Sequence, residues 1–281
     1  MLSARTYSST PDLAFAPVVT PAPKRLTQAQ IAHYNAQGFI TGLQAFSEDG
    51  ASKNLDYFDT LLAQAGPDGG YAVNCFQARL KGVWDLCTNP VILDHVEDII
   101  GPNIICWASH FFAKLPGDPK TVPWHQDAGF WSLSPARTVT VWLAIDATDE
   151  DNSAMRFLPA THDKGELAWR AAGDGNVLNK ELVGTDAMGA PFSNNLNAGE
   201  FSMHADMLAH GSLPNRSDRR RCGLTIRYCP PEVTITDAQW KNGIEAIIAR
   251  GEDPTGTWKH HDRPPSNVFE PKDGPRNVGG N

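Results

Sequence analysis

Two short segments combine a histidine with an acidic residue two positions away, and both could bind a metal ion. The first, PWHQDAGFW, contains His125 and Asp127, and the second, SMHADMLAHGS, contains His204, Asp206 and His210. Residues two apart in a strand lie on one face, about 6.5–7 Å apart, so an imidazole and a carboxylate can converge on one ion. A third ligand must then come from elsewhere in the fold.

The second segment does not form a complete metal site by itself. In one continuous strand His204 and His210 are six residues apart, which separates their Cα atoms by roughly 20 Å. At most one of them can therefore join His125 and Asp127. His210 is the favoured third ligand because it opens a turn-rich polar stretch, HGSLPNRSDRRR. His204 and Asp206 lie deeper in the strand and are expected to be ordinary strand residues.

Two histidines and one carboxylate leave three coordination positions of a metal open, which is typical of non-haem Fe(II) oxygenases. The same three ligands with a metal-bound water would suit a zinc hydrolase. His125 and Asp127 follow the turn residues LPGDPKTVP and precede a glycine. We therefore expect them at a strand end or loop mouth, where binding residues often lie.

The elements that must position these residues change from helices to strands along the chain. Apolar residues with helical spacing predict helices after Thr27, over 48–65 and after Pro90, with Gly101 ending the last of them. Beyond Gly101, β-branched and aromatic segments predict short strands, and a late helix is expected over 236–251. Short strands with no helices between them favour an antiparallel sandwich or barrel. The predicted fold is mostly β, with a jelly-roll-like core and a helical N-terminal part.

Composition excludes several classes of protein. The 281 residues include 24 Lys and Arg against 32 Asp and Glu, a formal charge of −8 that argues against nucleic-acid binding. The five cysteines are scattered without a C-x-x-C pair, which disfavours a disulfide scaffold and predicts a cytoplasmic protein. No segment approaches the roughly 20 apolar residues of a membrane span or has the apolar core of a signal peptide. One domain is predicted over 26–262, between an extended arm at 1–25 and an irregular tail at 263–281.

Several segments that occur in order resemble the phytanoyl-CoA dioxygenase family of Fe(II)- and 2-oxoglutarate-dependent oxygenases. They are LTQAQIAHYNAQGFI at the start, WHQD at 124–127, the strand with Trp142, NSAMRFLPATH at 152–162, NAGEF at 197–201 and HGSLPNRSDRRR at 210–221. The resemblance covers residues 26–230. It implies a double-stranded β-helix core, of the jelly-roll or cupin-like type. It also implies a dioxygenase that hydroxylates a small metabolite or natural-product intermediate and releases succinate and CO2.

The resemblance also implies how the metal is bound. His125, Asp127 and His210 would hold Fe(II), while 2-oxoglutarate and dioxygen would be the cosubstrates. Halogenating relatives have a small residue in place of this carboxylate. The presence of Asp127 therefore favours hydroxylation, desaturation or a related oxidation over halogenation.

Four further residues are implied to bind the cosubstrate. Arg221, eleven residues after His210, would bind the far carboxylate of 2-oxoglutarate, and Ser212 would donate a hydrogen bond to it. Arginine is expected here because its planar guanidinium matches a carboxylate with two hydrogen bonds. Trp142 matches a family position that lines the cosubstrate pocket, and Gln126 is expected to contact cosubstrate or substrate.

Candidate substrate contacts lie close to the predicted metal motif or upstream of it. They are Gln77, Phe111, Phe112, Phe130 and Trp131, although packing in the β core is an equally good interpretation of the aromatic residues. The expected partner is a small-molecule substrate, and neither its identity nor the oligomeric state is indicated by the sequence.

Two other functions remain open at this point. One is a jelly-roll binding module without catalysis, which the intact ligand set disfavours. The other is the metal-dependent hydrolase on the same three ligands. The segment from His210 to Arg221 argues against a hydrolase, because a hydrolase does not need a clamp for the far carboxylate of a cosubstrate.

Overall fold

The computed structural model describes residues 11–66 and 69–270. In these ranges the helices are α1 (Gln28–Gln37), α2 (Glu48–Ala65), α3 (Gly69–Ala72), α4 (Lys81–Cys87), α5 (Pro90–Ile100) and α6 (Ala238–Gly243). The first strands are β1 (Phe39–Gln44), β2 (Ile104–Lys114), β3 (Val122–His125), β4 (Leu133–Ser134) and β5 (Val139–Ala144). The later strands are β6 (Arg156–Phe157), β7 (Trp169–Ala171), β8 (Lys180–Leu182), β9 (Phe192–Ser193), β10 (Glu200–Ala205), β11 (His210–Ser212), β12 (Arg221–Cys229), β13 (Thr234–Ile235) and β14 (Ile247–Arg250).

The predicted N-terminal helices are confirmed, and local signals explain where they begin and end. Thr27 starts α1 with a capping box, in which its hydroxyl accepts from the Gln30 amide and the Gln30 side chain accepts from the Thr27 amide. Gly38 ends α1 in the left-handed region, at φ 85°. A Cβ at this position would lie 2.8 Å from the His162 ring, so the site requires glycine. Asn89 caps α5, which begins at Pro90 as predicted.

Two antiparallel sheets form the β core. The larger sheet has six strands in the order β1-β10-β5-β12-β2-β14, and the smaller has four in the order β3-β11-β6-β9. A pocket lies between them, since Thr140 and Arg221 of the larger sheet and His125 and Ser212 of the smaller sheet line the same cavity. This architecture confirms the predicted double-stranded β-helix with a helical N-terminal part.

Alternation along β5 and β12 divides the larger sheet into two faces. Val141 and Leu224 point to the apolar core, which they share with Phe58 of α2 and Val96 of α5. The residues that alternate with them along each strand point to the opposite face, where Thr225 lines the pocket. Because side chains alternate along a strand, one face supplies stability and the other supplies the site.

Two predicted elements are wrong. The segment EFSMHADMLAHG is not one strand, because β10 ends at Ala205 and the chain turns before β11 begins at His210 in the other sheet. The segment 236–251 is not one helix, because α6 ends at Gly243 and β14 then pairs with β2 at the sheet edge. In both cases a tertiary pairing outweighs the local pattern.

The described part of the N-terminal arm has neither helix nor strand and is anchored to the body. Both carboxylate oxygens of the buried Asp98 accept hydrogen bonds from the backbone amides of Lys24, Arg25 and Leu26. Residues 263–270 also have neither helix nor strand. The rest of the predicted arm (1–10) and tail (271–281) lies outside the described residues. Within the described ranges, no helix is both long and apolar enough to cross a membrane.

Candidate metal centre

Three residues predicted as metal ligands meet at the edge of the smaller sheet. His125 is the last residue of β3, His210 is the first residue of β11, and the two are direct partners in the strand pairing. Asp127 begins a 3-10 turn, Asp127–Phe130, directly after β3. All three are buried, and one donor atom from each lies within 4.8 Å of the others. The predicted position at a strand end is therefore confirmed.

Backbone carbonyls orient both imidazoles toward the same point. Nδ1 of His125 lies 2.8 Å from the Pro123 carbonyl, and Nδ1 of His210 lies 2.9 Å from the Leu208 carbonyl. A carbonyl can only accept, so each Nδ1 bears the proton and each Nε2 keeps its lone pair. These Nε2 atoms lie 3.5 Å and 3.9 Å from Oδ1 of Asp127, which suits the coordination of one divalent cation.

The electrostatics of this cluster also suit metal binding. Burial by itself would raise the pKa of Asp127, but the neighbouring His125, His210 and Arg227 lower the pKa far below its usual range. Burial, followed by the neighbouring His125, lowers the pKa of His210 well below its usual value. Asp127 is thus an ionised carboxylate and His210 a neutral imidazole, which are the forms that bind metals.

His204 lies beside this cluster, contrary to the prediction of a wide separation from His210. The two ring centroids are 4.6 Å apart, and Nε2 of His204 is 4.0 Å from Oδ2 of Asp127. The chain turn between β10 and β11 brings them together. Both ring nitrogens of His204 are buried without a hydrogen-bond partner, and burial lowers the pKa of His204 to about 4. Asp206 instead accepts a hydrogen bond from the Thr138 amide.

Arg221 lies in the same pocket as the predicted ligands. It is 2% exposed, its Nε donates to the Ser153 carbonyl at 2.8 Å, and its guanidinium lies 5.6 Å from the centroid of the Trp142 ring. No carboxylate of residues 11–66 or 69–270 lies within 4 Å of this guanidinium. A buried cation without an acidic partner suits an anionic ligand.

The two preceding arginines point away from the pocket. Arg219 is bound to both oxygens of Asp149 at 2.9 Å, and Arg220 is bound to both oxygens of Asp146 at 2.8 Å and 3.0 Å. Of these three neighbours, therefore, only Arg221 lines the cavity.

Ser212 and Trp142 also line the cavity, as predicted. The Ser212 hydroxyl is buried without a hydrogen-bond partner, so it can donate to a bound group. Trp142 lies flat against the backbone of Gly223 in the next strand, where a Cβ would be 2.0 Å from the ring. Glycine at this position therefore allows the indole to form one wall of the pocket.

Two predicted contacts, Gln126 and Gln77, do not line this pocket. The Gln126 amide donates to the carbonyls of Gly165 and Met207 and accepts from the Leu167 amide. The Gln77 amide is likewise satisfied, by the carbonyls of Trp107 and Glu245 and by the Ser109 hydroxyl. Both side chains join backbone segments, and neither amide is free for a ligand.

Only some of the predicted aromatic contacts line the pocket. Phe130 lines the pocket as predicted, whereas Phe111 lies on the core face of β2 and stacks on Phe58 at 4.8 Å. Its neighbour Phe112 lines the pocket in its place. Trp131 packs edge-on against Trp107 at 4.7 Å and is not a lining residue.

Several residues of the pocket were not predicted from the sequence, namely Val122, Thr140, Met155, Leu178, His204, Thr225 and Arg227. Thr140 donates to Oδ2 of Asp127 at 3.3 Å. A signal for two of the others was present, because Thr225 and Arg227 stand four and six residues after Arg221 and so share its face of β12.

The comparisons with known proteins agree with this geometry. The profile of the phytanoyl-CoA dioxygenase family matches residues 63–223. The peroxisomal phytanoyl-CoA dioxygenase of Bos taurus is 27% identical over 163 residues, which cover 54% of this chain and 48% of that protein. A probable alpha-ketoglutarate-dependent hypophosphite dioxygenase of Stutzerimonas stutzeri is 31% identical over 142 residues, 49% of each chain. This chain thus spans about half the length of these curated relatives.

A solved structure matches over more of the chain. The apo form of the non-heme monooxygenase ThoJ superposes with a TM-score of 0.72 at 27% identity. The match covers 84% of this chain and 88% of the other.

Proposed function

Because this chain belongs to the phytanoyl-CoA dioxygenase family, we propose that it is an Fe(II)- and 2-oxoglutarate-dependent dioxygenase. The main support is the pocket itself. It combines the cluster of His125, Asp127 and His210 with the buried Arg221, for which the described residues provide no acidic partner. The first part suits a divalent metal and the second suits a carboxylate. An oxygenase that uses a 2-oxo acid must bind both together.

Fe(II) is the proposed metal, held by Nε2 of His125, Nε2 of His210 and one carboxylate oxygen of Asp127. When bound, it supplies the oxidation of a C–H bond by dioxygen, coupled to the conversion of 2-oxoglutarate into succinate and CO2. The protein orients the ligands. Two backbone carbonyls keep the Nδ1 protons, and Thr140 holds the second oxygen of Asp127.

Arg221 and Ser212 are the proposed partners of the far carboxylate of 2-oxoglutarate. The guanidinium offers two parallel N–H donors, and the buried Ser212 hydroxyl offers a third. Trp142 fixes the guanidinium from one side and excludes water from it. The name of the Stutzerimonas stutzeri relative, an alpha-ketoglutarate-dependent enzyme, agrees with this assignment.

The proposed reaction is the hydroxylation of a small metabolite or natural-product intermediate. Phe112, Phe130 and Leu178 line the pocket, so the part of the substrate next to them is apolar and water is excluded from the reacting carbon.

The catalytic unit is proposed to be the single domain 26–262. Five free buried cysteines agree with the proposed cytoplasmic location, which subcellular fractionation of the native protein tests.

Succinate formation from 2-oxoglutarate tests the proposal. Purified protein with Fe(II), ascorbate and a substrate panel should form succinate, and a chelator should stop the reaction. Asp127→Ala should abolish succinate formation, because it removes the only anionic ligand of the cluster. The exposed Asp163→Ala is the matched control and should retain full activity. Undiminished activity of Asp127→Ala would contradict the proposed ligand set, and no succinate from wild type would contradict the function.

A further inference from the structure

A second buried arginine lines the pocket and has no role in the function proposed above. Arg227 is 3% exposed and lies on β12, on the same face as Arg221. Six residues separate the two, which places their Cα atoms roughly 20 Å apart. Arg227 pairs across the sheet with Thr140, the residue that donates to Asp127. Arg227 therefore stands at the metal end of the pocket, and Arg221 stands at the other end.

The guanidinium of Arg227 is held in place by aromatic contacts, but it has no hydrogen-bond partner among the described residues. Its Nε and Nη1 atoms are buried without any acceptor. In the part of the chain that the structure describes, no carboxylate lies within 4 Å of it, and Asp127 interacts with it only over a longer distance. Two indole rings hold it, with the centroid of Trp131 at 5.0 Å and that of Trp107 at 5.8 Å. Contact with two indole rings positions the guanidinium and leaves its Nε and Nη1 donors for a ligand.

The charges that line the pocket do not balance without such a ligand. Asp127 contributes one negative charge, while Arg221 and Arg227 contribute one positive charge each, and the three lining histidines are neutral when they hold or face a metal. Bound Fe(II) adds two positive charges and 2-oxoglutarate adds two negative charges. One positive charge therefore remains, and it belongs to Arg227, because the cosubstrate is already matched by Arg221 and the metal.

We propose that Arg227 binds an acidic group of the substrate, a carboxylate or a phosphorus oxyanion, so that this enzyme acts on small singly charged anions. The inference rests on the proposed function and adds the substrate class to it. Phe130 and Leu178 belong to the same apolar cluster as Trp107 and Trp131. The substrate is thus an amphiphile, with its anionic end on Arg227 and its apolar part along this cluster.

Binding to protein loaded with Ni(II) and 2-oxoglutarate tests this class without requiring turnover. The probes are short carboxylates and alkylphosphonates of three to eight carbons, each paired with its uncharged amide or ester and measured by calorimetry. Wild type should prefer the anion of a pair by about tenfold or more, the value of a charge-assisted bidentate contact. Arg227→Met should lose this preference, Arg227→Lys should keep part of it, and Arg219→Met should match wild type.

Two further measurements separate this role from the alternatives. Arg227→Met should keep its affinity for 2-oxoglutarate, whereas Arg221→Met should lose it. A loss of 2-oxoglutarate affinity in Arg227→Met would overturn the proposal, because Arg227 would then serve the cosubstrate. The ligand-free Arg227→Met protein should melt no earlier than wild type, since the substitution removes an uncompensated buried charge. A merely structural arginine would instead lower the melting temperature.

The failures of the two proposals remain distinguishable. If wild type forms no succinate but prefers the anionic probes through Arg227, the dioxygenase assignment fails and the anion site stands. If wild type forms succinate but shows no anion preference anywhere in the panel, the inference about Arg227 is overturned and the dioxygenase assignment stands.

Discussion

Three consecutive arginines of the same chemistry have different surroundings, and this difference decides their roles. Arg219 and Arg220 form ion pairs with Asp149 and Asp146 outside the pocket. The Arg219–Asp149 pair is exposed and contributes little free energy because water screens both charges, whereas the charge of the partly buried Arg220 is already compensated by Asp146. Arg221 is buried beside the Trp142 ring, where a bound carboxylate would meet a desolvated cation. Only at Arg221 can a charged hydrogen bond add substantially to affinity.

Replacing Arg221 with lysine tests this difference directly. Lysine keeps the charge but loses the paired N–H donors, so KM for 2-oxoglutarate should rise about tenfold or more, about 1.4 kcal/mol. Succinate formation against 2-oxoglutarate concentration gives KM and kcat separately, and kcat should change less. Arg219→Lys is the control and should keep the wild-type KM. An unchanged KM in Arg221→Lys would show that another group binds the far carboxylate.

At the scale of elements, neighbouring residues of β14 differ in burial because successive side chains of a strand point to opposite faces. Ile247 is fully buried, in the core beside β2, whereas Ile248 is 36% exposed. The two residues follow each other on one edge strand and point to opposite faces. Ala249 packs on the same core as Ile247, and this period of two residues distinguishes a strand from the helix expected here.

We therefore expect opposite outcomes from the same substitution at these two positions. Ile247→Asp buries a carboxylate without a partner and should destabilise the protein by at least about 3 kcal/mol. Ile248→Asp should cost no more than about 1 kcal/mol. Urea unfolding followed by fluorescence measures both. Equal losses at the two positions would contradict the strand assignment.

Charged residues of α5 connect the N-terminal arm to β14. The carboxylate of Glu97 forms ion pairs with Nζ of Lys24 in the arm, at 2.7 Å, and with Nη1 of Arg250 in β14, at 2.8 Å. Burial alone would raise the pKa of Glu97, but the hydrogen bonds from these two partners outweigh it and lower the pKa below 4.5. A lowered pKa in the folded state means that the carboxylate stabilises the fold above pH 4.5 and stops doing so as pH falls through the lower value.

The pH dependence of Glu97→Gln should reveal this contribution. At pH 7 wild type should be more stable than the variant by about 0.5–1 kcal/mol, the range for a partly screened ion pair. The gap should close between pH 4.5 and more acidic conditions, because wild-type Glu97 then becomes protonated. Urea titrations of both proteins at several pH values measure the gap. A gap that stays constant with pH would contradict the assigned ion pairs.

At the scale of the whole molecule, the metal cluster connects parts of the chain that are far apart in sequence. His125 and His210 are 85 residues apart and meet only because β3 and β11 pair in the smaller sheet. An ion bound by both is therefore absent from the unfolded chain and must stabilise the folded state.

Metal loading should consequently raise the melting temperature. At a free Ni(II) concentration about 100 times Kd, the folded state gains about 2.7 kcal/mol, which corresponds to roughly 5–10 °C for a chain of this size. A chelator should reverse the shift, which calorimetric melting measures. Asp127→Ala should show little or no shift, and a full shift in this variant would place the metal elsewhere.

Local signals in the sequence determined where several helices and strands lie and where the first two predicted metal ligands stand. The capping residues Thr27 and Asn89 set the starts of α1 and α5, and the β-branched and aromatic segments beyond Gly101 predicted strands such as β5. The pair His125 and Asp127 needs only a strand end and a turn, which neighbouring residues specify. These features could be predicted because they depend on interactions within a few residues of each other.

Only the tertiary structure decided which faces and neighbours each side chain has. His204 meets His210 because the chain turns between two sheets, and Phe112 rather than Phe111 lines the pocket because α2 covers the other face of β2. Among the described residues, Nε and Nη1 of Arg227 lack an acceptor, and its partners in the neighbouring strands are the uncharged Ala108 and Thr140. Such contacts join residues that are distant in sequence, so no local pattern specifies them, and burial then determines their chemistry.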